Sequence, residues 1–298
     1  MKNAIPNTLS RNKSVLVSGA SSGLGAHAVR YLAQRGFTVF AGVRSPENCV
    51  SPSSPDNVHY IPLDVTCQES IERAVQQIQQ HNAPPLWGVV NNAGICIPSP
   101  LEMLPVSDLR NQLETNVIGQ FAVTREVLPL LRAQRGRVVN VTSGLGSLAL
   151  PYLGAYSMAQ FAKEAFSDAL RRELYSSGVD VIIIQPGAIN TPIWDKFLSA
   201  GHEIMKQAPK ALQAIYTRSF TQFLAASPEN AQASPTHPEH FAHTVFRALT
   251  DIRPKTRYAV GKDSQDFRIK ARSFPTRMVD RQFAAIAPKA DEFSDERV

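Results

Sequence analysis

Apolar residues along the chain occur in short, nearly continuous runs separated by longer segments of helical periodicity. Seven runs predict strands: SVLVSG from Ser14, FTVFAGV from Phe37, VHYIPL from Val58, LWGVVNN from Leu86, GRVVNVT from Gly136, VDVIIIQPG from Val179 and a weaker RYAVG from Arg257. Helical patterns cover residues 24–35, 70–81, 106–134 and 156–175. Continuous apolar strands separated by helices are typical of a parallel sheet covered on both faces. The pattern therefore predicts an α/β fold, a Rossmann-type doubly wound parallel sheet of about seven strands.

The alternation of strand and helix stops after Gly187, within what we interpret as a single domain spanning residues 1–298. Residues 188–234 are helical and Ala-rich with several aromatic side chains, which predicts a helical substrate lid; a packing subdomain without ligand contact is the alternative. Residues 263–298 are rich in Arg, Asp and Ser and predict a loosely packed C-terminal tail. Residues 1–12 have no apolar segment and predict a short solvated leader.

Composition and charge narrow the classes of function. The chain is 43% hydrophobic and 19% charged, which argues against intrinsic disorder, and no uncharged apolar run approaches the roughly 20 residues of a membrane span. The net charge of +6 comes without a basic cluster interleaved with aromatics, so a nucleic-acid partner is disfavoured. Three cysteines without CxxC spacing and seven histidines without HExxH spacing give no expectation of a metal. With no secretory signal, we expect a reducing, cytoplasmic location.

The first predicted strand leads directly into a glycine-rich loop and then into a helix. The loop runs from Ser18 to Gly25 and reads SGASSGLG. In this context Gly19 permits a tight turn, Gly23 permits the backbone to approach a pyrophosphate, and Gly25 permits close packing of helix on strand. The N–H groups at the start of the helix are suited to bind phosphate. The loop therefore predicts a dinucleotide site; a glycine turn without a ligand is the alternative.

The end of the second strand bears on the choice of dinucleotide. An acidic residue at this point would bind the 2′-hydroxyl of NAD, but the chain has Arg44 and no acid between Ala41 and Ser45. A guanidinium pairs well with a 2′-phosphate, so we predict NADP(H) in preference to NAD(H). The alternative is that Arg44 is a solvated loop charge stacked on adenine.

Several motifs, in their order along the chain, resemble the short-chain dehydrogenase/reductase family from Lys13 to about Ile193. The glycine loop resembles TGxxxGxG, residues 91–94 read NNAG as in the family, and Tyr156 follows Ser143 at the family's spacing of thirteen residues. The phrases FSDALRREL and GAINTPIW are similar to the branch that includes retinol, hydroxysteroid and hydroxybutyrate dehydrogenases. The resemblance implies the Rossmann fold predicted above and an oxidoreductase activity.

The resemblance also implies roles for individual residues. It makes Tyr156 the general acid/base, Ser143 the group that holds the carbonyl oxygen, and Asn116 a support of the proton relay. The predicted cofactor-binding residues are Gly19, Ser21, Ser22, Gly23, Leu24, Gly25, Arg44, Asp64, Val65, Asn92, Ala93, Gly94, Gln160, Pro186, Gly187 and Thr191. The family commonly associates through its two long helices, which here carry apolar residues on more than one face, so we expect a homodimer or homotetramer; the alternative is that these residues all face the sheet.

The chain departs from the family at one catalytic position. The family motif YxxxK is here YSMAQ, so Gln160 stands where the family has lysine. That lysine lowers the pKa of the tyrosine and binds the nicotinamide ribose; glutamine has no charge but can still hydrogen-bond. Lys163 shares a helix face with Tyr156 and is a candidate replacement for the charge, the alternative being an exposed lysine paired with nearby acids.

Two functional hypotheses follow from these inferences. The first is an NAD(P)-dependent oxidoreductase that interconverts a secondary alcohol and a carbonyl on a lipophilic substrate such as a steroid, a retinoid or a long-chain keto compound, weakened by the loss of lysine and impaired more in oxidation than in reduction. The alternative is a catalytically silent NADP(H)-binding pseudoenzyme that acts as a sensor or scaffold. Natural divergence and an engineered or allelic Lys-to-Gln change both remain open as the origin of Gln160.

Overall fold

The computed structural model describes residues 10, 12–49 and 55–287, and these residues form one seven-stranded sheet. The strands are β1 (Ser14–Ser18), β2 (Thr38–Val43), β3 (Val58–Pro62), β4 (Leu86–Asn91), β5 (Arg137–Val141), β6 (Asp180–Pro186) and β7 (Arg257–Val260). Every pairing is parallel and the order across the sheet is β3-β2-β1-β4-β5-β6-β7. The predicted doubly wound Rossmann-type sheet is confirmed.

Helices connect the strands and extend beyond the sheet. The described residues contain α1 (Gly23–Ala33), α2 (Gln68–Gln80), α3 (Val106–Leu113), α4 (Gly119–Gln134), α5 (Gly154–Glu173), α6 (Ile193–Gln207), α7 (Lys210–Gln232), α8 (Pro238–Thr250), α9 (Lys262–Ser273) and α10 (Thr276–Phe283). The predicted helix over 106–134 is continuous, but a π-helical turn at Glu114–Ile118 separates α3 from α4. None of the helices in the described part of the chain is long and apolar enough to cross a bilayer.

The two faces of the sheet carry separate apolar cores. Val15 and Phe37 belong to the core beneath α1 and α8, whereas Leu16 and Phe40 belong to the core beneath α2, α4 and α5. Successive side chains on a strand point to opposite faces, so a strand covered on both sides is apolar at successive positions. This requirement explains the continuous hydrophobic runs in the sequence.

The carboxyl ends of the parallel strands meet at one edge of the sheet. The strand order reverses between β1 and β4, and ligands of such sheets bind in the crevice that this reversal creates. The glycine loop follows β1, the NNAG segment begins at the end of β4, and Ser143 follows β5. The topology therefore brings the predicted site residues to the same crevice.

The segment predicted as a lid, residues 188–234, contains α6 and α7. These helices share a third apolar cluster with the loop after β5, in which Phe197, Phe220 and Leu224 pack with Leu145 and Tyr152. Of the segment predicted as a tail, the structure describes 263–287, which includes most of α9 and all of α10. Residues 288–298, and all of the predicted leader except residues 10 and 12, lie outside the described residues.

Candidate cofactor and active site

The loop between β1 and α1 has a shape that only glycine permits at key positions. Gly19 and Gly23 have φ values of +65° and +53°, in the left-handed region. A Cβ at Gly19 would lie 2.7 Å from the Cα of Ala93, and one at Gly25 would lie 2.3 Å from the carbonyl oxygen of Gly19. The backbone of this loop is therefore packed too closely for any side chain at these two positions.

The segment after β4 fixes the glycine loop from the side. The N–H groups of Asn92 and Ala93 donate to Ser18 Oγ at 3.1 and 3.0 Å. The side-chain amide of Asn92 donates to the carbonyl oxygens of Ser18 and Gly19 at 3.1 and 3.2 Å. Gly94 follows and lies against the Asn116 side chain. The NNAG residues thus hold the loop through Ser18 and the carbonyl oxygen of Gly19, and these hydrogen bonds do not use the N–H groups at the start of α1.

Exposed groups surround the start of α1. Ser21 and Ser22 are exposed, and the Ser22 hydroxyl makes no capping hydrogen bond within the part of the chain that the structure describes. Leu24 lies in the first turn, whose N–H groups have no partner inside the helix. Arg44 is exposed directly after β2, the neighbour of β1. This arrangement offers free N–H donors and a nearby cation to an anionic group.

Asp64 and Val65 lie after β3, on the next strand outward. Asp64 Oδ1 accepts hydrogen bonds from the Thr66 N–H at 2.9 Å and from the Thr66 hydroxyl at 2.7 Å. Val65 is buried against the first residue of α4, where a Cβ at Gly119 would lie 2.6 Å from the Val65 carbonyl oxygen. Both residues are therefore fixed at the crevice edge, with the Asp64 carboxylate partly accessible.

Asn116 lies in the π-helical turn and is buried. Its Oδ1 accepts from the Ile95 N–H at 2.9 Å, and its Nδ2 donates to the Ile95 carbonyl oxygen at 3.0 Å. Gln112, one turn earlier, accepts from the Ile97 N–H at 2.9 Å. These two amides fix the extended segment that carries Cys96, the residue between Ile95 and Ile97.

Tyr156 lies at the centre of the predicted catalytic residues. Burial raises the pKa of its hydroxyl well above the ordinary value, the nearby Cys96 raises this pKa further, and the polar side chains of Ser143 and Gln160 close to the hydroxyl lower it. The net shift is upward, so the phenol is strongly held in its protonated form. The structure therefore brings Ser143, Tyr156 and Gln160 together, while Asn116 acts on the same place through the backbone beside Cys96.

Gln160 has a buried acceptor that nothing in the described chain satisfies. Its side chain is 2% exposed, and its Oε1 has no hydrogen-bond partner among the described residues. A buried carbonyl oxygen without a hydrogen-bond donor costs free energy, so such groups are rare in folded proteins. A hydroxyl donor from a bound ligand would satisfy this oxygen.

Lys163 is buried, which contradicts the exposed position that one of our two expectations gave it. It is 3% exposed, and its Nζ donates to the carbonyl oxygen of Val141 at the end of β5. The groups that shift the pKa of Tyr156 do not include Lys163, and it is not an exposed helix lysine. Burial lowers the pKa of Lys163 itself to about 7, although Glu164 opposes this shift.

Glu164 of α5 connects this helix to three strands behind the candidate active site. This role was not predicted from the sequence. Its Oε1 accepts from Thr142 Oγ1 at 2.7 Å and from Gln185 Nε2 at 3.0 Å, and its Oε2 accepts from Arg257 Nε at 2.9 Å. Arg257 also donates to Asp168 Oδ1 at 2.6 Å. The network ties α5 to the ends of β5 and β6 and to β7, and so fixes the backbone next to Ser143.

The segment after β6 closes the crevice. Ser143 Oγ donates to the carbonyl oxygen of Pro186 at 3.4 Å, and the Gly187 N–H donates to the Val260 carbonyl oxygen at 2.8 Å. Thr191 lies 3.4 Å from the Cβ position of Gly23, measured at its own Cβ. The predicted PG…T segment therefore extends from Ser143 to the glycine loop.

Apolar side chains form the remaining wall beside Tyr156. Cys96 and Trp194 pack in the same cluster as Tyr156, together with Phe267 of α9 and Ile286 after α10. The last two residues were not singled out from the sequence, because they lie in a polar segment far along the chain.

No group of three metal-ligating side chains occurs within residues 10, 12–49 and 55–287.

Tyr152 links the loop after β5 to the segment predicted as a lid. It has φ of +64°, which is strained for a residue with a side chain, and it is buried. Its hydroxyl donates to Ser219 Oγ on α7 at 2.9 Å, and its ring packs on Phe220 and Phe223. Helix α7 is therefore held by Tyr152, which precedes Tyr156 by four residues in the sequence.

Comparison with known proteins places this geometry in context. Residues 13–200 match the family model described as short chain dehydrogenase. The chain is 49% identical to 3-amino-tetrahydro-pyrrolizinone reductase of Xenorhabdus hominickii over 94% of this chain and 98% of that protein. It is 35% identical to 17-beta-hydroxysteroid dehydrogenase type 6 of Homo sapiens (94% and 90% covered) and 34% identical to human retinol dehydrogenase 16 (93% and 90% covered).

Solved structures agree with the observed architecture. A short-chain dehydrogenase from Streptomyces avermitilis has 27% identity and a TM-score of 0.73, covering 91% of this chain and 98% of that one. A short chain dehydrogenase from Burkholderia cenocepacia in complex with NADP has 23% identity and a TM-score of 0.70, covering 92% and 99%. The second similarity is one of fold alone.

Proposed function

The chain belongs to the short chain dehydrogenase family, and we propose that it is an NADP(H)-dependent oxidoreductase that interconverts a secondary alcohol and a carbonyl on a lipophilic substrate. The observation that carries the proposal is the meeting of Ser143, Tyr156 and Gln160 beside an apolar wall, in the crevice that also contains the glycine loop. An acid, a hydrogen-bond donor and a dinucleotide cradle within one crevice are the requirements of this chemistry.

The residues present fit a nicotinamide dinucleotide. The backbone of Gly19 and Gly25 leaves no room for side chains and exposes the start of α1 to a pyrophosphate. Gln160 Oε1 has no hydrogen-bond donor in the described part of the chain and suits a ribose hydroxyl. Asp64 would meet the adenine amino group, and Arg44 would pair with a 2′-phosphate. When bound, the dinucleotide supplies or accepts the hydride.

The side chains of this protein would handle the substrate oxygen and its proton. Ser143 would donate a hydrogen bond to the carbonyl oxygen, and Tyr156 would donate a proton to it as the alcohol forms. Asn116 keeps the segment with Cys96 in place beside the phenol. The apolar side chains of α6 and α9 would exclude water from the reacting atoms.

The raised pKa of Tyr156 favours one direction. A protonated phenol is the acid that carbonyl reduction needs, whereas alcohol oxidation needs the phenolate, which burial disfavours. Gln160 supplies a hydrogen bond but no charge to reverse this. We therefore propose that reduction is the less impaired direction.

The names of two relatives support the substrate class. They are a hydroxysteroid dehydrogenase and a retinol dehydrogenase, and steroids and retinol are lipophilic ring compounds. The relative with 49% identity is named as a reductase of an amino-substituted pyrrolizinone, which is a bicyclic compound with polar groups. The lining of Trp194, Phe223 and Phe267 beside Tyr156 suits such a compound. We propose a cyclic or long-chain lipophilic carbonyl as the substrate.

The test is an NADPH-consumption assay on a panel of steroid ketones, retinoid carbonyls and bicyclic lactams that also bear a ketone. The expected result is slow reduction of at least one compound, lost in Tyr156→Phe, which keeps the ring but removes the acid. If the wild-type protein binds NADPH but neither it nor Gln160→Lys reduces any compound, the oxidoreductase proposal fails and the sensor alternative is favoured.

The sensor alternative has a specific observation in its favour. The uncharged Gln160 and the upward pKa shift of Tyr156 leave the proton-transfer step weak while every backbone feature of the dinucleotide loop is retained. On this alternative NADP(H) binds without turnover. Occupancy of the site would then be the function.

We also propose a cytoplasmic homodimer or homotetramer. Phe121 on α4 and Phe161 on α5 are 48% and 45% exposed, whereas Leu131 of the same pair of helices is fully buried against the sheet. The exposed rings support an association surface on these helices. Sedimentation equilibrium of the wild type and of Phe121→Glu would test it, with a monomeric wild type as the contrary result.

A further inference from the structure

The first turn of α9 contacts both loops that flank the proposed nicotinamide end of the site. Asp263 lies against residues 187 and 188 after β6, and Ser264 lies against Gly144, the residue after Ser143. No motif of the sequence marked this turn, because it lies in the polar segment that begins after β7.

The chain is shaped around the carboxylate of Asp263. Its Oδ2 accepts a hydrogen bond from the Ala188 N–H at 2.7 Å. A Cβ at Gly187 would lie 1.9 Å from its Oδ1, and a Cβ at Gly261 would lie 2.6 Å from the same oxygen. Gly261 has φ of +107°, a conformation that side chains rarely permit. Two glycines therefore make room for one carboxylate, which caps the start of the PG…T segment.

Ser264 makes the second contact. It is fully buried, and its Oγ donates to the carbonyl oxygen of Gln185 at 2.8 Å. Its Cα lies 3.0 Å from the Cβ position of Gly144. One helical turn thus fixes the end of β6 and the loop after β5 relative to each other.

From these contacts we infer that Asp263 and Ser264 are positioning residues for the nicotinamide half of the site. The inference rests on the proposed function, because it assigns these loops to the nicotinamide end. The adenine half is held by other elements: the glycine loop, the end of β2 and the segment after β3. Loss of the Asp263 carboxylate should therefore affect one half of the dinucleotide and leave the other unchanged.

The test compares two ligands by calorimetric titration. NADPH needs both halves of the site, whereas 2′-phospho-ADP-ribose lacks nicotinamide and needs only the adenine half. Asp263→Ala should raise the Kd for NADPH about tenfold, the size expected for loss of one charge-assisted hydrogen bond, and leave that for 2′-phospho-ADP-ribose within about twofold. Asp263→Asn keeps an acceptor for the Ala188 N–H and should recover most of the NADPH affinity.

Asp266→Ala is the matched control, since Asp266 lies on the same helix and makes no side-chain hydrogen bond or ion pair within the described residues. It should leave both Kd values unchanged. If Asp263→Ala does not fold, Ser264→Ala removes the bond to Gln185 and should show the same selective loss at smaller size.

The outcomes separate the two proposals. A wild-type protein that binds neither ligand overturns the proposed function and this inference with it. A wild-type protein that binds both, with Asp263→Ala or its substitute Ser264→Ala unchanged for NADPH or equally weakened for both ligands, overturns the inference alone.

Discussion

The loop between β1 and α1 and the helix that carries Tyr156 differ in what their function requires. The loop depends on backbone shape: Gly19, Gly25 and the hydrogen bonds from Asn92 leave the N–H groups of α1 available. On the proposed function, helix α5 needs a positive charge beside Tyr156, and Gln160 supplies none. On the proposed function, dinucleotide binding therefore depends on backbone shape and proton transfer depends on charge, so that proton transfer can be weakened while binding is retained.

The largest expected effect is on dinucleotide affinity, through the backbone shape of the glycine loop. Gly25→Ala places a Cβ 2.3 Å from the Gly19 carbonyl oxygen, so the loop must move away from its present shape. We expect at least about a hundredfold rise in the Kd for NADPH, or about 2.7 kcal/mol. Calorimetric titration measures it, with circular dichroism to confirm that the sheet is intact. Unchanged affinity in a folded variant would contradict the account of the loop.

The next largest expected effect is on the rate of turnover, through the charge at position 160. Gln160→Lys places a cation beside Tyr156 and should lower the pKa that burial has raised. General acid–base steps contribute about 10² to 10⁴ in rate, and Tyr156 in the wild type still supplies part of this, so we expect turnover to rise by about tenfold to a hundredfold at neutral pH, more for oxidation than for reduction. Gln160→Met, which has neither charge nor hydrogen bond, is the control and should be slower than the wild type.

The pH dependence of the reduction rate also distinguishes the wild type from Gln160→Lys. Because the pKa of Tyr156 is raised, its proton stays bound as the pH increases, and wild-type reduction should keep its rate through pH 9. In Gln160→Lys the decline should begin at a lower pH. A wild-type decline near pH 7 that persists in Lys163→Met, which lacks the buried amine with a pKa of about 7, would mean that the phenol itself titrates there, contrary to the account.

A smaller effect is expected at the adenosine end. Arg44→Ala removes the cation next to β2 and should weaken NADPH binding by about tenfold or more while leaving NADH binding unchanged. Arg30→Ala, an exposed arginine of α1, serves as the control. Equal changes for the two dinucleotides would remove the case for NADP(H) preference.

The smallest effect is on stability, at Lys163. Its pKa is about 7 when folded and 10.5 ordinarily, so between these values the unfolded chain binds more protons and stability rises with pH. Lys163→Met should remove this dependence and raise Tm by about 2–4 °C at pH 6, with less gain at pH 9. Lys196→Met, at an exposed site, should show no such difference between the two pH values. A Tm gain that does not depend on pH would argue against a buried cation.

The sheet and the glycine loop were predictable because their signals are local. A strand covered on both faces must be apolar throughout, and the loop context follows directly from the first such strand. The position of Lys163 was not predictable, since helical spacing gives the face of a residue but not its depth beneath β5. Likewise Glu164 binds Arg257, and Asp263 caps residue 188, across 93 and 75 positions of chain. Only the folded sheet brings such partners together.

The most direct test of the account is a side-by-side titration of the wild type and Gln160→Lys with NADPH, followed by the fluorescence of the dinucleotide. The account predicts that both proteins saturate at one dinucleotide per chain with Kd values within about threefold, well under 1 kcal/mol apart, since the cradle does not depend on the missing charge. Absence of binding to both proteins, or binding to Gln160→Lys alone, would contradict it.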